Sequence, residues 1–366
     1  MQKIYGFVAE FNPFHNGHKK FINEIKQKFH PDVLIAVMSG NYVQRGDFAV
    51  LDKWKRAQIA IENGIDLVVE LPFSYAVQPA ELFAKGATSL LNDLGVNNIV
   101  FGTENDLDFE SIALKMLNLD TEFKQDYKRN SASNLNEFYK SFGIDVLESP
   151  NQLLGINYVQ QILKNDYRIH VKTITRQNSS YSATKIRQNL HDEKSISDLV
   201  PDSTLKALKN DKIISWDDFF PFLKYRIVSD STSDLHNVYQ MVEGLENKFK
   251  KEISTKEFES FINAVKSKRY TRSRLRRLSM YTLINVKESE ITFAYDNPYL
   301  RVLGFNNVGQ NYLKKLRKQT GFITKVGKNE QDILGLEIRA DNIRRLIDNR
   351  EQNFGKIPFM EGKINA

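Results

Sequence analysis

The chain has 366 residues, 41% of them hydrophobic and 27% charged, with a formal net charge of +7 and no cysteine. This is a globular composition, neither disordered nor fibrous, and the length suffices for two domains of ordinary size. Without cysteine there are no disulfides, no thiolate nucleophile and no cysteine-rich zinc site.

No apolar run approaches the ~18 residues that cross a bilayer, and no basic stretch precedes an apolar core at the amino terminus, so a cytoplasmic protein without membrane association is expected. Charge is unevenly spread. Residues 1–200 carry 22 basic and 24 acidic side chains, whereas residues 201–366 carry 30 and 21. A surplus confined to the second half points to a polyanion partner there, because Lys and Arg against phosphate give sequence-independent affinity for nucleic acid. A basic surface with no partner is the alternative.

In chain order, short runs rich in Val, Ile and Phe occur at IYGFVAEF, DVLIAVMSG, DLVVELPF, NIVFGTE and RIHVKTIT, and read as buried strands. Between them Phe21, Ile22, Ile25 and Phe29, and then Ala80, Phe83, Ala87, Leu90, Leu91 and Leu94, recur at helical spacing. Alternating strand and helix predict a Rossmann-like parallel sheet covered on both faces, with chemistry in the loops after the strands. From about residue 190 the texture becomes polar around Pro201. Beyond it helices are expected at Asp217–Ile227, Val238–Phe249 and Leu313–Gly321, with a hairpin or loop at YDNPYLRVLGFN. The expected division is an α/β catalytic domain over 1–195 and a mainly helical basic domain over 196–366.

The sharpest local feature is FNPFHNGH, residues 11–18. Pro13 forbids a helix there, and Gly17 lets a ligand approach the backbone where the next helix starts. A helix amino terminus has unpaired N–H groups and the positive dipole end, which suits phosphate. His15 and His18 can donate to charge that grows on that phosphate during displacement. Metal ligation and an ordinary capping turn are the competing readings. At YSATKIR, residues 181–187, Ser182 and Thr184 can cap a helix, and Arg187 adds charge.

HNGH after a first strand resembles the HxGH signature of the nucleotidyltransferase superfamily, and YSATKIR resembles its Ser-x-Thr-x-Ile-Arg element. The resemblance narrows further. EFNPFHNGH, MSGNYVQRGDFAVLDKWKRA, GIDLVVELPFSYAVQPAELFAKGA, FGTE, GINYV, KRYTRSRLRR and YLRVLGFN together are similar to the tRNA(Met) cytidine acetate ligase family over nearly the whole chain. That resemblance implies an enzyme that activates acetate with ATP as acetyl-adenylate, with Mg²⁺ as companion, and acetylates the wobble cytidine of elongator tRNA(Met). It implies an ATP site formed by Val8, Ala9, Glu10, Phe11, Asn12, Pro13, Phe14, His15, Asn16, Gly17, His18, Lys19, Lys20 and Phe21, joined by Gly102, Asn157, Arg176, Ser182, Thr184 and Arg187, with His15 and His18 catalytic. One departure is the short QNSSY, where the family pattern carries a longer Gly-Tyr-His loop; another is Phe11, where tyrosine is common.

Three further features belong to this reading. The loop SGNYVQRGD offers Gln44, Arg45 and Asp47 for acetate, a cation or the target base; its bland alternative is a polar loop turned by Gly40 and Gly46. Glu70 and Glu104 are weaker candidates for Mg²⁺. The run KSKRYTRSRLRR holds seven basic residues in twelve. It makes Lys268, Arg269, Tyr270, Arg272, Arg274, Arg276 and Arg277 the expected tRNA surface, with Tyr270 to stack a base; KKLRK at 314–318 is a second basic run. Two other functions remain open at this point: a small-molecule adenylyltransferase of the same superfamily, and a non-catalytic RNA-binding protein.

Overall fold

The computed structural model describes residues 2–105, 107–119, 137–143, 150–175 and 181–362. The first strands are β1 (Ile4–Ala9) and β2 (Val33–Ser39). In the loop after β2, β3 (Tyr42–Val43) and β4 (Asp47–Phe48) pair only with each other. Then come β5 (Leu67–Leu71), β6 (Asn98–Thr103) and β7 (His170–Thr175), so all five predicted apolar runs form strands. The segment expected as a hairpin or loop instead supplies β8 (Val302–Phe305), which with β9 (Phe359–Met360) completes a seven-stranded sheet of order β7-β6-β1-β2-β5-β8-β9. All neighbours are parallel except β8, which runs antiparallel to β5.

The register aligns the strand ends. Ala9 pairs with Met38, Ser39 with Leu71 and Thr103 with Thr175, so the loops after these strands leave one edge. From β1 the chain moves to β2 and β5 on one side, then returns to β6 and β7 on the other. The reversal opens a crevice between β1 and β6, where sheets of this kind bind ligands.

Alternation along the strands builds two cores. Ile4, Ile35, Val69 and Ile99 face helices Ala80–Asp93 and Pro150–Lys164. Tyr5, Leu34, Val68 and Val100 face helices Asn16–Phe29, Lys53–Glu62, Ala183–His191 and Asp202–Asn210. A third core joins helices Trp216–Ser229, Phe258–Val265, Arg272–Ile284 and Gly335–Asp348 to Tyr42, Phe48, Phe73 and Val77 from the loops of the sheet edge. The helical part is thus packed onto that edge. Helix Leu245–Glu252 starts later than predicted, because Gln240, Glu243 and Gly244 have positive φ. Among the described residues no helix is long and apolar enough to cross a membrane.

Beneath the edge lies a buried ionic cluster. Lys53 Nζ donates to Glu70 Oε1 and Asp341 Oδ2, both at 2.7 Å, with neither lysine nor Glu70 exposed. Arg301 stands 3.4 Å from Glu70. Glu337 accepts from the Phe73 N–H, and burial, reinforced by Glu70, pushes its carboxyl up to about 8. A carboxyl raised from its ordinary value of 4.5 stabilises the fold most below that value, and this contribution is lost as pH rises through about 8. Glu337→Gln keeps an oxygen for Phe73 and removes the titration. The variant is therefore expected to unfold at higher urea than the parent at pH 8, with a flatter pH dependence; a lower midpoint there would contradict this.

Candidate active site

The turn after β1 is fastened by the two histidines themselves. His15 is the N-cap of helix Asn16–Phe29 and accepts the His18 N–H at Nδ1 (3.3 Å), while His18 Nδ1 accepts the His15 N–H (3.2 Å). This is a reciprocal capping box made by imidazoles. The rings stack at 3.7 Å, and His18 also packs edge-on against Phe11 at 5.0 Å. Because each Nδ1 accepts, each neutral ring carries its proton on Nε2 and donates from there. The helix end is less open than its sequence suggests: the Asn16 N–H goes to Leu199 O (2.9 Å), leaving the Gly17 N–H, among the described residues, as the one of the first three without a protein acceptor.

The second motif meets this turn. Ser182 caps helix Ala183–His191, and Arg187 Nη1 donates to Asn12 O at 2.7 Å, with Thr184 Oγ1 3.5 Å from Nη2. A Cβ on Gly17 would stand 3.0 Å from the His15 ring and 3.2 Å from Tyr181, so glycine is what lets the two motifs close. Gly102 lies in β6 across the crevice from β1. Asn157 is buried on helix Pro150–Lys164, its amide donating to Leu153 O at 2.7 Å. It is not the solvated helix residue its polarity suggests. Arg176 and most of QNSSY lie outside the described residues.

Several members of the predicted ATP stretch serve to hold the turn. Phe11 and Phe14 are fully buried against each other at 4.9 Å, and Phe21 packs edge-on to Phe7. The Asn12 side chain is spent on Phe48 O and the Val50 N–H. Val8 and Ala9 are half-buried at the end of β1 and pack into opposite cores, Pro13 is buried, and Lys19 and Lys20 are exposed.

Glu10, directly after β1, is half-buried; its Oε1 accepts the Gln44 N–H at 2.8 Å. Burial raises its carboxyl above the ordinary value despite Gln44, Arg187, Arg45 and Arg56. Arg56, which sequence reasoning missed, is fully buried and donates to the carbonyls of Glu10 (2.6 Å), Ser39 (3.0 Å), Leu51 (3.0 Å) and Gly40, locking the loops after β1 and β2 together. The block KWKRA was the available signal, but a charged helix is ordinarily a solvated one.

The carboxylates considered for a cation are committed elsewhere. Glu70 is buried and paired with Lys53, Glu104 accepts from Asn151 (2.7 Å), and Asp47 pairs with Arg276 (2.9 Å). Among the described residues no three His, Asp or Glu side chains are grouped to hold a metal ion.

The basic run leads into the first turns of helix Arg272–Ile284, with Lys268, Arg269 and Tyr270 before it, and is bound to the same edge. Gly46, at φ 73°, lies directly on the backbone of Arg276 and Arg277, where any Cβ would overlap, and its carbonyl accepts from Trp216 Nε1 at 2.9 Å. Tyr270 is buried, donating to Glu243 with Arg274 4.8 Å above its ring, so it does not offer the stacking face expected of it. Arg277 is half-buried, and burial lowers its pKa. Arg269 pairs with Glu243, Arg272 with Glu259, and Arg276 with Glu259 and Asp47. The surface that remains accessible is Lys268, Arg269, Arg272 and Arg274, with Arg276 18% exposed.

A mostly parallel sheet with its switch point at an HxGH turn, closed by a Ser-x-Thr-x-x-Arg helix, is the arrangement expected of a nucleotidyltransferase, and the family model described as HIGH Nucleotidyl Transferase matches residues 2–356. Two curated relatives are the tRNA(Met) cytidine acetate ligases of Lactobacillus gasseri (41% identical, covering 97% of this chain and 99% of that one) and Latilactobacillus sakei (39%, covering 100% and 99%). Crystal structures of Thermotoga maritima TmcAL, one apo and one bound with alpha-thio ATP, superpose with a TM-score of 0.87 at 28% identity over 98% of this chain and 99% of that one. The chain belongs to the tRNA(Met) cytidine acetate ligase family.

Proposed function

We propose that this chain is an ATP-dependent ligase. It couples acetate to AMP with release of pyrophosphate, then transfers the acetyl group to the exocyclic amine of the wobble cytidine of elongator tRNA(Met), giving N4-acetylcytidine. The observation that carries the reading is the bond from Arg187 to the Asn12 carbonyl, which brings the two phosphate-type motifs to one switch point. Attachment of the basic helix to the same edge through Gly46 favours an RNA acceptor over a small-molecule one, and the paired histidines speak for catalysis over simple RNA binding.

A carboxylate cannot acylate an aromatic amine directly, because its leaving group is poor; attack of acetate on the α-phosphate of ATP supplies a better one. In this reading the Gly17 N–H, the Nε2–H groups of His15 and His18, and Arg187 donate to the phosphates as charge shifts onto them. Gly102, Asn157 and Arg176 hold the nucleoside. Mg²⁺ would neutralise phosphate charge; the described carboxylates at this edge do not group to hold it, so it would be bound chiefly through the nucleotide. Residues 1–195 carry the catalytic side chains and 196–366 the tRNA surface, the latter also lending β8, β9 and helix Asp202–Asn210 to the catalytic sheet and its core, and the enzyme works in the cytoplasm where tRNA is found.

Acetate-dependent exchange of pyrophosphate into ATP tests the first half, and its absence in folded protein would overturn the proposal. For the second half, combined alanine changes at Lys268, Arg269, Arg272 and Arg274 are expected to weaken tRNA binding far more than exchange. The salt dependence of binding should lose a slope of about one per phosphate contact removed. Unchanged affinity at physiological salt would place the RNA elsewhere.

A further inference from the structure

Glu10 carries a charge that does not suit the work of its neighbours. A carboxylate repels both a triphosphate and an acetate ion, yet this one is built firmly into the catalytic edge. Its Oε1 is held by the Gln44 N–H and its own carbonyl by Arg56, so the loop after β2 and helix Lys53–Glu62 both fix it. No other hydrogen bond to the carboxylate is formed among the described residues, and the residue as a whole is half-buried.

We propose, on the basis of the acyl-ligase reading above, that Glu10 is the general base of the transfer step, taking the proton that the cytidine amine sheds as it attacks the acetyl carbonyl of the adenylate. The amine lone pair is delocalised into the ring and weakly nucleophilic, and bond formation places positive charge on nitrogen. The N–C bond forms, and the bond from the acetyl carbon to the phosphate oxygen breaks. AMP leaves with that electron pair, and one amine proton passes to Glu10 and on to solvent.

Placement fits the role. The alternation of β1 puts Val8 in the core beneath helix Pro150–Lys164, and Glu10 follows it by two, whereas the histidine helix packs on the opposite face. The histidine helix and Glu10 therefore belong to opposite faces of the sheet, and Arg187, bonded to the Asn12 carbonyl, stands near enough to act on both. Among the described residues the groups near Glu10 are Arg187 from the second motif, Arg45 from the β2 loop, Arg56 from helix Lys53–Glu62 and Tyr158 from helix Pro150–Lys164. The cations favour its charged form and burial opposes it more strongly, leaving a stronger base than a surface glutamate.

The test uses the full-length protein in single turnover. Acetyl-adenylate is formed from ATP and acetate, unmodified tRNA(Met) is added, and transfer is followed across pH alongside acetate-dependent pyrophosphate exchange. For the parent, transfer should fall about tenfold per unit below the Glu10 pKa. Glu10→Gln should slow transfer by ~10²–10⁴-fold, erase that acidic limb, and reduce exchange by a factor at least about ten times smaller. Glu10→Asp, which keeps an ionisable carboxyl, should recover part of the rate together with the acidic limb. Transfer by Glu10→Gln at the parental rate, or equal loss of exchange and transfer, would overturn the role. Absence of exchange in the parent would instead strike the acyl-ligase reading on which it rests.

Discussion

His18→Ala is expected to lower acetate-dependent pyrophosphate exchange by about 10²–10³-fold, the cost of removing one preorganised donor to a developing oxyanion. The change also opens the capping box, since His18 Nδ1 accepts the His15 N–H and the His18 ring lies on that of His15. Lost capping costs ~0.5–2 kcal/mol. The two effects can be separated at the same position. His18 is the third residue of the helix, where glutamine reaches back to the cap N–H in ordinary capping boxes. His18→Gln should therefore regain most of the stability and little of the exchange. Recovery of exchange by glutamine would reduce His18 to a structural cap.

Lys53→Met is expected to cost ~3–5 kcal/mol of stability, read as a lowered urea midpoint, because it strands Glu70 and Asp341 without the ammonium between them. Neither carboxylate can reach water: Glu70 is fully buried and Asp341 is 2% exposed. Arg301 at 3.4 Å and Asn41 on Asp341 at 2.7 Å compensate only in part. Combining Lys53→Met with Glu70→Gln, which withdraws one of the stranded charges, should recover some of the loss. A single-variant cost below about 1 kcal/mol would show that the cluster tolerates the imbalance.

How much of this was legible depended on range. The strands β1, β2, β5, β6 and β7 announce themselves as apolar runs, HNGH opens the helix after β1 and YSATKIR opens a second helix as their residues suggest, and Arg187 joins the two. β8 and β9 were missed because strands of four and two residues carry too little periodicity, and β8 gains its pairing from distant segments, β5 on one side and β9 on the other. Lys53 and Arg56 carry no local sign of burial; their partners lie in Glu70, Asp341 and the strand-end carbonyls, which no local pattern reveals. Tyr270 failed in the opposite sense. Basic residues around an aromatic suggested RNA stacking, but an acid 27 positions earlier, Glu243, takes its hydroxyl and Arg274 covers its ring.

The most direct measurement is to incubate the protein with ATP, labelled acetate and unmodified elongator tRNA(Met), digest the tRNA to nucleosides, and compare label in cytidine with pyrophosphate released. The account predicts N4-acetylcytidine at the wobble position, with one pyrophosphate for each acetyl group transferred. Pyrophosphate without labelled cytidine would leave the activation half and contradict the RNA acceptor; neither product from folded protein would contradict the central claim.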